Sequence, residues 1–206
     1  LKGSVFKLAK MAGSSFEDVN LSNVDMSGAD LTGVVLIGVN FQNAILKGAN
    51  LSGSSLEGVK LAGSDLSEAN LKDVNFLNAN LRGVDLSGAD LSGAFLHNID
   101  LSRSNLQGVN LSGIDISGAD LSNADMAGAD LTGADLSGAD LSGVILTDAI
   151  LKDVDFASAY LSNADMSGAD LSGASFTGVS MENSILRGAN LQGADLSNID
   201  LTTVDY

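Results

Sequence analysis

The chain repeats one five-residue pattern of apolar and polar positions along its length, as in residues 129–143, ADLTGADLSGADLSG. Counted in steps of five from Leu1 to Tyr206, all 42 positions are apolar or aromatic, and 29 are Leu. We call these positions the centres. The residue two before a centre is only Ala, Val, Ser or Ile, and the residue just before it is Asp or Asn in 27 of 41 cases. All 24 glycines fall two residues after a centre.

A period of five fits neither common element. On an α-helix, positions five apart are about 140° out of phase, so the centres would spiral around every side. On a flat strand the side chains alternate, so successive centres would point to opposite faces. The pattern therefore predicts one bend per repeat. The small residue and the centre point inward, and the two outward residues that follow form a corner, where Gly tolerates positive φ.

The repeat A(D/N)LxG, as in residues 129–133, resembles that of the pentapeptide-repeat family, and the resemblance covers the whole chain. It implies an all-β fold, a right-handed quadrilateral β-helix (solenoid) of about ten coils with about twenty residues each. Phe16, Phe76, Phe156 and Phe176 share one phase at this longer period, which agrees with four sides. The small position next to each centre predicts a narrow interior.

Residues 1–15 are ambiguous, because Leu1, Val5 and Leu8 fit helical spacing while Leu1, Phe6 and Met11 fit the repeat. We expect either an irregular first coil or an N-terminal cap there, followed by the β-helix over residues 16–206. The repeat runs to Tyr206, so the apolar end of the last coil needs cover. This predicts either end-to-end self-association or a neighbouring domain of a larger protein.

The formal net charge of −16 argues against direct nucleic-acid binding. No apolar stretch approaches the length of a membrane span, so we expect no membrane insertion and a cytoplasmic location. The chain has no Cys, and His97 is its only histidine. His97 lies at an outward position, and the Asp residues recur with the repeat instead of forming a unique pair. We therefore expect no catalytic residues, no cofactor and no metal site.

Outward apolar residues interrupt the polar surface on the side that carries the Phe-rich centres. Exposed apolar clusters of this kind mark interfaces. The candidate interaction patch consists of Val35, Ile37, Leu77, Phe95 and His97.

An acidic belt occupies the middle of the chain, where no basic residue occurs between Arg103 and Lys152. At about 4.8 Å per coil its carboxylates give about one charge per 1.7 Å, close to the density of duplex DNA. The belt consists of Asp115, Asp120, Asp125, Asp130, Asp135, Asp140 and Asp148.

Two functions follow from these surfaces. The first is a non-catalytic scaffold or protein-interaction rod with a protein partner. The second comes from the family resemblance, since some members are thought to mimic DNA and bind type II topoisomerases. Those members usually end in a dimerising C-terminal helix, whereas this sequence ends in repeats, at LSNIDLTTVDY. The simpler explanation of the belt is that Asp supports each corner and keeps a β-rich rod from aggregating.

Overall fold

The computed structural model describes residues 1–206, which form a single coiled rod. Parallel backbone bridges join residues twenty apart, for example Asp25 to Ile45 and Ile45 to Asp65. Because each stretch of twenty residues contains four corners, the coil has four sides. Regular strand is scarce. The only strands of more than one residue are β1 (Ser15–Glu17) and β2 (Val35–Ile37), which pair in parallel with Phe16 opposite Leu36.

The corners lie where the pattern predicts them, at the two residues after each centre. All 24 glycines adopt positive φ there, and Asn or Asp occupies most of the other corners, as at Asn123 with φ 57°. The Asp or Asn just before a centre forms the backbone bridge to the next coil, and its side chain also hydrogen bonds to the corner that follows the centre. The carboxylate of Asp130 accepts the N–H of Thr132 at 2.9 Å and its hydroxyl at 2.6 Å. Local chemistry thus closes each corner.

The interior is a column of centres flanked by small residues, and 63 buried hydrophobic residues form one continuous core. Leu131 and Ala129 are 0% exposed. The rings of Phe156 and Phe176 stack on successive coils with centroids 5.2 Å apart. Inward serines donate their hydroxyl hydrogen bonds to the backbone, as the Ser64 hydroxyl does to the Leu61 carbonyl at 2.7 Å. The predicted inward orientation of centres and small residues is confirmed.

The N-terminal segment has the same turns and bridges as the later coils. Val5 bridges to Asp25 and Lys10 to Asp30, and residues 1–15 contain no helix. Its centres are less buried than those of later coils, since Leu1 is exposed and Phe6 and Met11 are half buried against the edge of the core.

Candidate interaction surface

One side of the coil, which we call the Phe95 face, carries Ser15, Val35, Ser55, Asn75, Phe95 and Asp115 on successive rungs. Its ladder of bridges is continuous from Ser15 to Phe95 and again from Asp115 to Asp195. No bridge joins Phe95 to Asp115. The other ladders have no such gap in the middle of the rod.

Backbone hydrogen bonds show how far this interruption extends. The last intact bond before the interruption runs from the Leu86 N–H to the Asn105 carbonyl at 2.8 Å. The first intact bond after it runs from the Asn98 N–H to the Ser117 carbonyl at 3.0 Å. Between these limits, no well-aligned backbone hydrogen bond joins residues 88–96 to residues 107–115. The Asp90–Asn110 bridge is retained with looser geometry, whereas the Phe95–Asp115 bridge is lost. We call this interval the parted seam. Neither the Leu96 N–H nor the Asp115 N–H donates a hydrogen bond within the chain.

Bulky side chains occupy the inward positions beside the parted seam. Ile114 stands at a position that is mostly Ala or Val, and Ile116 is the only isoleucine among the centres. No other edge has Ile at both inward positions. We infer that two β-branched side chains overfill the narrow interior and that the coils separate to admit them. Ala94 and Ile114 are accordingly 8% and 7% exposed, whereas most core residues are at 0–1%.

Two adjoining hollows, each of about 320 Å3, flank the Phe95 ring, and we call them together the Phe95 cleft. The first is lined by Asn75, Leu77, Phe95 and His97. The second opens on the parted seam and is lined by residues 93–97 and residues 112–115. Phe95 is 66% exposed and Leu77 is 52% exposed, so the walls offer substantial apolar area.

The structure divides the predicted patch. Leu77, Phe95 and His97 line the cleft together. Val35 and Ile37 are exposed on the same face but lie two rungs away from Asn75 and do not line the cleft. Ser55 occupies the rung between them. The patch is therefore two separate apolar areas on one face.

His97, Ser117 and Asp115 form a short hydrogen-bonded chain at the edge of the cleft. His97 Nδ1 lies 2.7 Å from Ser117 Oγ, and that hydroxyl donates to Asp115 Oδ1 at 2.5 Å. The hydrogen bonds from the Ser117 hydroxyl and N–H lower the pKa of Asp115, and His97 adds a smaller effect in the same direction. Because the serine proton points to the carboxylate and all three groups are near solvent, the arrangement does not activate a nucleophile.

The acidic belt has two kinds of member. Six of its residues lie at the bridging position, and their Oδ1 atoms accept the N–H two residues later, as Asp140 does from Ser142 at 2.9 Å. Asp148 differs, because it occupies a corner with φ 56°. No Lys or Arg pairs with a belt carboxylate, and the one ionisable neighbour is the His97 imidazole, whose Nδ1 lies 3.7 Å from Asp115 Oδ1. Asp is thus at once a corner support and an unpaired surface charge.

No three His, Asp or Glu side chains converge as a metal site. The chain also contains no helix long and apolar enough to cross a membrane.

Sequence reasoning missed the residues that open the cleft. Ile114 and Ile116 were visible as departures from the small and Leu-rich positions, yet their effect depends on the coils above and below. The sequence pattern does not single out Ser117 or Asn75, because Ser and Asn are common at these positions of the repeat.

The family model for pentapeptide repeats matches the chain in eight copies. The matched residues are 1–36, 14–53, 35–73, 49–88, 79–118, 110–148, 149–188 and 164–202. No curated protein sequence matches the chain.

Solved pentapeptide-repeat structures are similar to this chain. HetL, involved in heterocyst differentiation regulation in the cyanobacterium Nostoc sp. strain PCC 7120, is 32% identical with a TM-score of 0.64, over 97% of this chain and 89% of HetL. A pentapeptide repeat protein from the Arabidopsis thaliana thylakoid lumen is 33% identical with a TM-score of 0.39, over 52% of this chain and 70% of that protein. A trypsin-treated variant of QnrB1, a plasmid-mediated fluoroquinolone resistance protein, is 24% identical with a TM-score of 0.33, over 98% of this chain and 91% of that protein. The family match and HetL imply a right-handed quadrilateral β-helix.

Proposed function

Since this chain belongs to the pentapeptide-repeat family, we propose that it is a non-catalytic interaction rod of about ten coils that binds a protein partner at the Phe95 cleft. The observation that carries the proposal is the coincidence of three features on one face. The ladder is interrupted, a cleft opens there, and the most exposed aromatic ring of the rod's middle stands over it. A cytoplasmic location and membership of a larger protein stay predictions.

The cleft has the properties of a docking site. Leu77 and Phe95 supply apolar area, and exposed apolar clusters rimmed by polar groups are typical of protein interfaces. The rod around them is rigid, because backbone bridges join all the remaining rungs in the middle of the rod. Binding therefore costs the rod little conformational entropy. The hydrogen bonding of His97, Ser117 and Asp115 favours binding over catalysis.

Affinity capture with matched variants tests this function. The wild-type rod and the double variant Leu77→Ser, Phe95→Ser would be immobilised and exposed to an extract of the source cells. The control is Ile145→Ser, Tyr160→Ser, which removes comparable exposed apolar area outside the cleft. We expect a partner to be retained by the wild type and the control and lost by the cleft variant. Equal retention by all three rods would contradict the proposal.

The acidic belt supports a second candidate, an acidic DNA mimic that binds a type II topoisomerase or another DNA-binding protein. The observation in its favour is that no Lys or Arg pairs with any of the seven belt carboxylates. Against this, six of the seven also support corners, a role that Asp has along the whole rod.

A gyrase supercoiling assay separates the two candidates. Asp120→Asn, Asp130→Asn, Asp140→Asn removes three charges yet keeps Oδ1 as an acceptor for the corner. A mimic would inhibit supercoiling, and both added salt and this triple variant would weaken the inhibition. Absence of inhibition by the wild-type chain removes topoisomerase binding from the second candidate and leaves the first candidate intact.

A further inference from the structure

We infer that the part of the Phe95 cleft that opens on the parted seam binds an arginine side chain presented by a basic partner protein. This inference rests on the proposed interaction function and specifies the partner's chemistry. It starts from backbone groups beside the cleft that have no hydrogen-bond partner within the chain. In intact rungs the backbone carbonyl before one centre accepts the N–H of the centre twenty residues earlier, as Asp135 does from Ile116 at 3.0 Å. In the seam, the carbonyls of Ala94, Ser112 and Asp115 accept no hydrogen bond within the chain.

The Asp115 carboxylate adds a directed negative charge. Its Oδ1 atom accepts from the Ser117 N–H at 3.0 Å and from the Ser117 hydroxyl at 2.5 Å. Its Oδ2 atom makes no hydrogen bond within the chain. The carboxylate is therefore held in place through one oxygen and offers the other to a ligand. No Lys or Arg lines the cleft.

Phe95 supplies an aromatic surface beside the Asp115 carboxylate. Its ring is 66% exposed and lines both hollows. A guanidinium stacks on an aromatic face, and its aliphatic stem packs on apolar neighbours such as Leu77. Among the other belt residues only Asp140 has an exposed aromatic ring on a neighbouring rung, that of Tyr160, and the bridge between those two residues is intact.

These groups together match arginine better than other ligands. Arginine is a planar donor without acceptors, so it pairs with a carboxylate and carbonyls while it stacks on the ring. Lysine is a point charge that any acidic rung attracts. The unpaired N–H groups of Leu96 and Asp115 do not favour an anion, because the Asp115 carboxylate lies beside them and the chain carries a net charge of −16. The same net charge steers basic partners toward the rod.

The test is a nuclear magnetic resonance titration of the full chain with three probes. They are acetyl-Gly-Gly-Arg-Gly-Gly-amide and the same peptide with lysine or with citrulline, the neutral analogue of arginine. We expect saturable shifts with the arginine peptide at the amides of Leu96, His97 and Asp115. We expect about tenfold weaker binding of the citrulline peptide and weaker binding of the lysine peptide. The amides of Asp135 and Ser137, on the next and intact rung, serve as an internal control.

Two variants complete the test. Asp115→Asn keeps the acceptor for Ser117 and should weaken the arginine peptide about tenfold, whereas the control Asp135→Asn should leave its affinity unchanged. Phe95→Ser, which copies Ser55 and Ser175 of the same ladder, should also weaken it. Equal affinities for the three peptides, shifts spread evenly over acidic rungs, or no saturable shift would overturn the inference. If cleft-dependent partner capture persists without arginine binding, only the arginine inference fails. If arginine binds and capture does not depend on the cleft, the proposed function fails instead.

Discussion

Phe95 and Asp115 stand on successive rungs of one face of the rod, and no backbone bridge joins them. The Leu96 N–H and the Asp115 N–H are both left without a partner in the chain. The loss of hydrogen bonds also reaches the preceding coil, where the Phe76 and Asn78 N–H groups have no partner, but Phe95–Asp115 is the one bridge missing in the middle of the rod. Regions with few backbone hydrogen bonds open at low free-energy cost and are commonly used for binding.

Restoring a regular interior should close the parted seam. The double substitution Ile114→Val, Ile116→Leu recreates the pair found at Val34 and Leu36, whose edge has intact bridges. Because it relieves overpacking, we expect slower amide hydrogen exchange at Leu96 and Asp115 and no loss of thermal stability. As a control, Val154→Ala trims a side chain on an intact edge and should cost about 1 kcal/mol. Unchanged exchange at both amides would contradict this explanation of the seam.

The interior should reject larger residues at its small positions. Ala129 is 0% exposed, and Ala129→Leu inserts three carbons between tightly stacked coils. We expect a loss of about 1–3 kcal/mol or more in the free energy of unfolding, measured by chemical denaturation. The control Ala127→Leu points outward and should stay within about 0.5 kcal/mol of the parent. A variant at 129 as stable as the parent would show that the interior is not closely packed.

Replacing a corner glycine should destabilise the fold through backbone conformation, even where there is room for a side chain. Gly133 has φ +65°, and a Cβ added there meets no atom within 4 Å. Gly133→Ala should therefore cost about 1 kcal/mol through backbone strain alone. Gly133→Asn should cost less, because Asn adopts this conformation readily and does so at Asn123 with φ 57°. Thermal unfolding of the two variants would check the order, and an Ala variant more stable than the Asn variant would refute it.

The corner carboxylates should make the rod sensitive to acid. Hydrogen bonds from the side chain and then the backbone of Ser92 lower the pKa of Asp90, and Thr32 acts in the same way on Asp30. A pKa that is lower in the folded state stabilises the fold above the unfolded value, about 3.9, and this contribution is lost as pH falls through the folded value. We expect a thermal midpoint that is insensitive to these groups near neutral pH and falls below about pH 4.

The Ser92 hydroxyl allows a direct test of that cause. Ser92→Ala removes the hydroxyl donor and leaves the backbone N–H, which lies 3.0 Å from Asp90 Oδ1. The pKa of Asp90, followed by the carboxyl carbon resonance, should rise toward its ordinary value. No rise would mean that the hydroxyl is not the main cause of the shift.

Much of the fold was predictable because the residues within each five-residue repeat determine its backbone geometry. The inward positions of Ala129 and Leu131 and the corner at Gly133 follow from local spacing and backbone preference. The scarcity of regular strand was less apparent, since one bridging residue such as Asp130 between two corners suffices to stack the coils. The candidate site was predicted only in part. Leu77, Phe95 and His97 do share a cleft, whereas Val35 and Ile37 lie apart from it.

The amino-acid sequence alone determined which side chains face the axis and where the chain turns, because both depend on residues within one five-residue repeat. Only the tertiary structure decided where the ladder is interrupted and what surrounds Phe95. That outcome depends on contacts between residues twenty apart, where the volumes of Ile114 and Ile116 must be shared with the coils on either side. Packing is a property of neighbouring coils together, and a single repeat does not carry it.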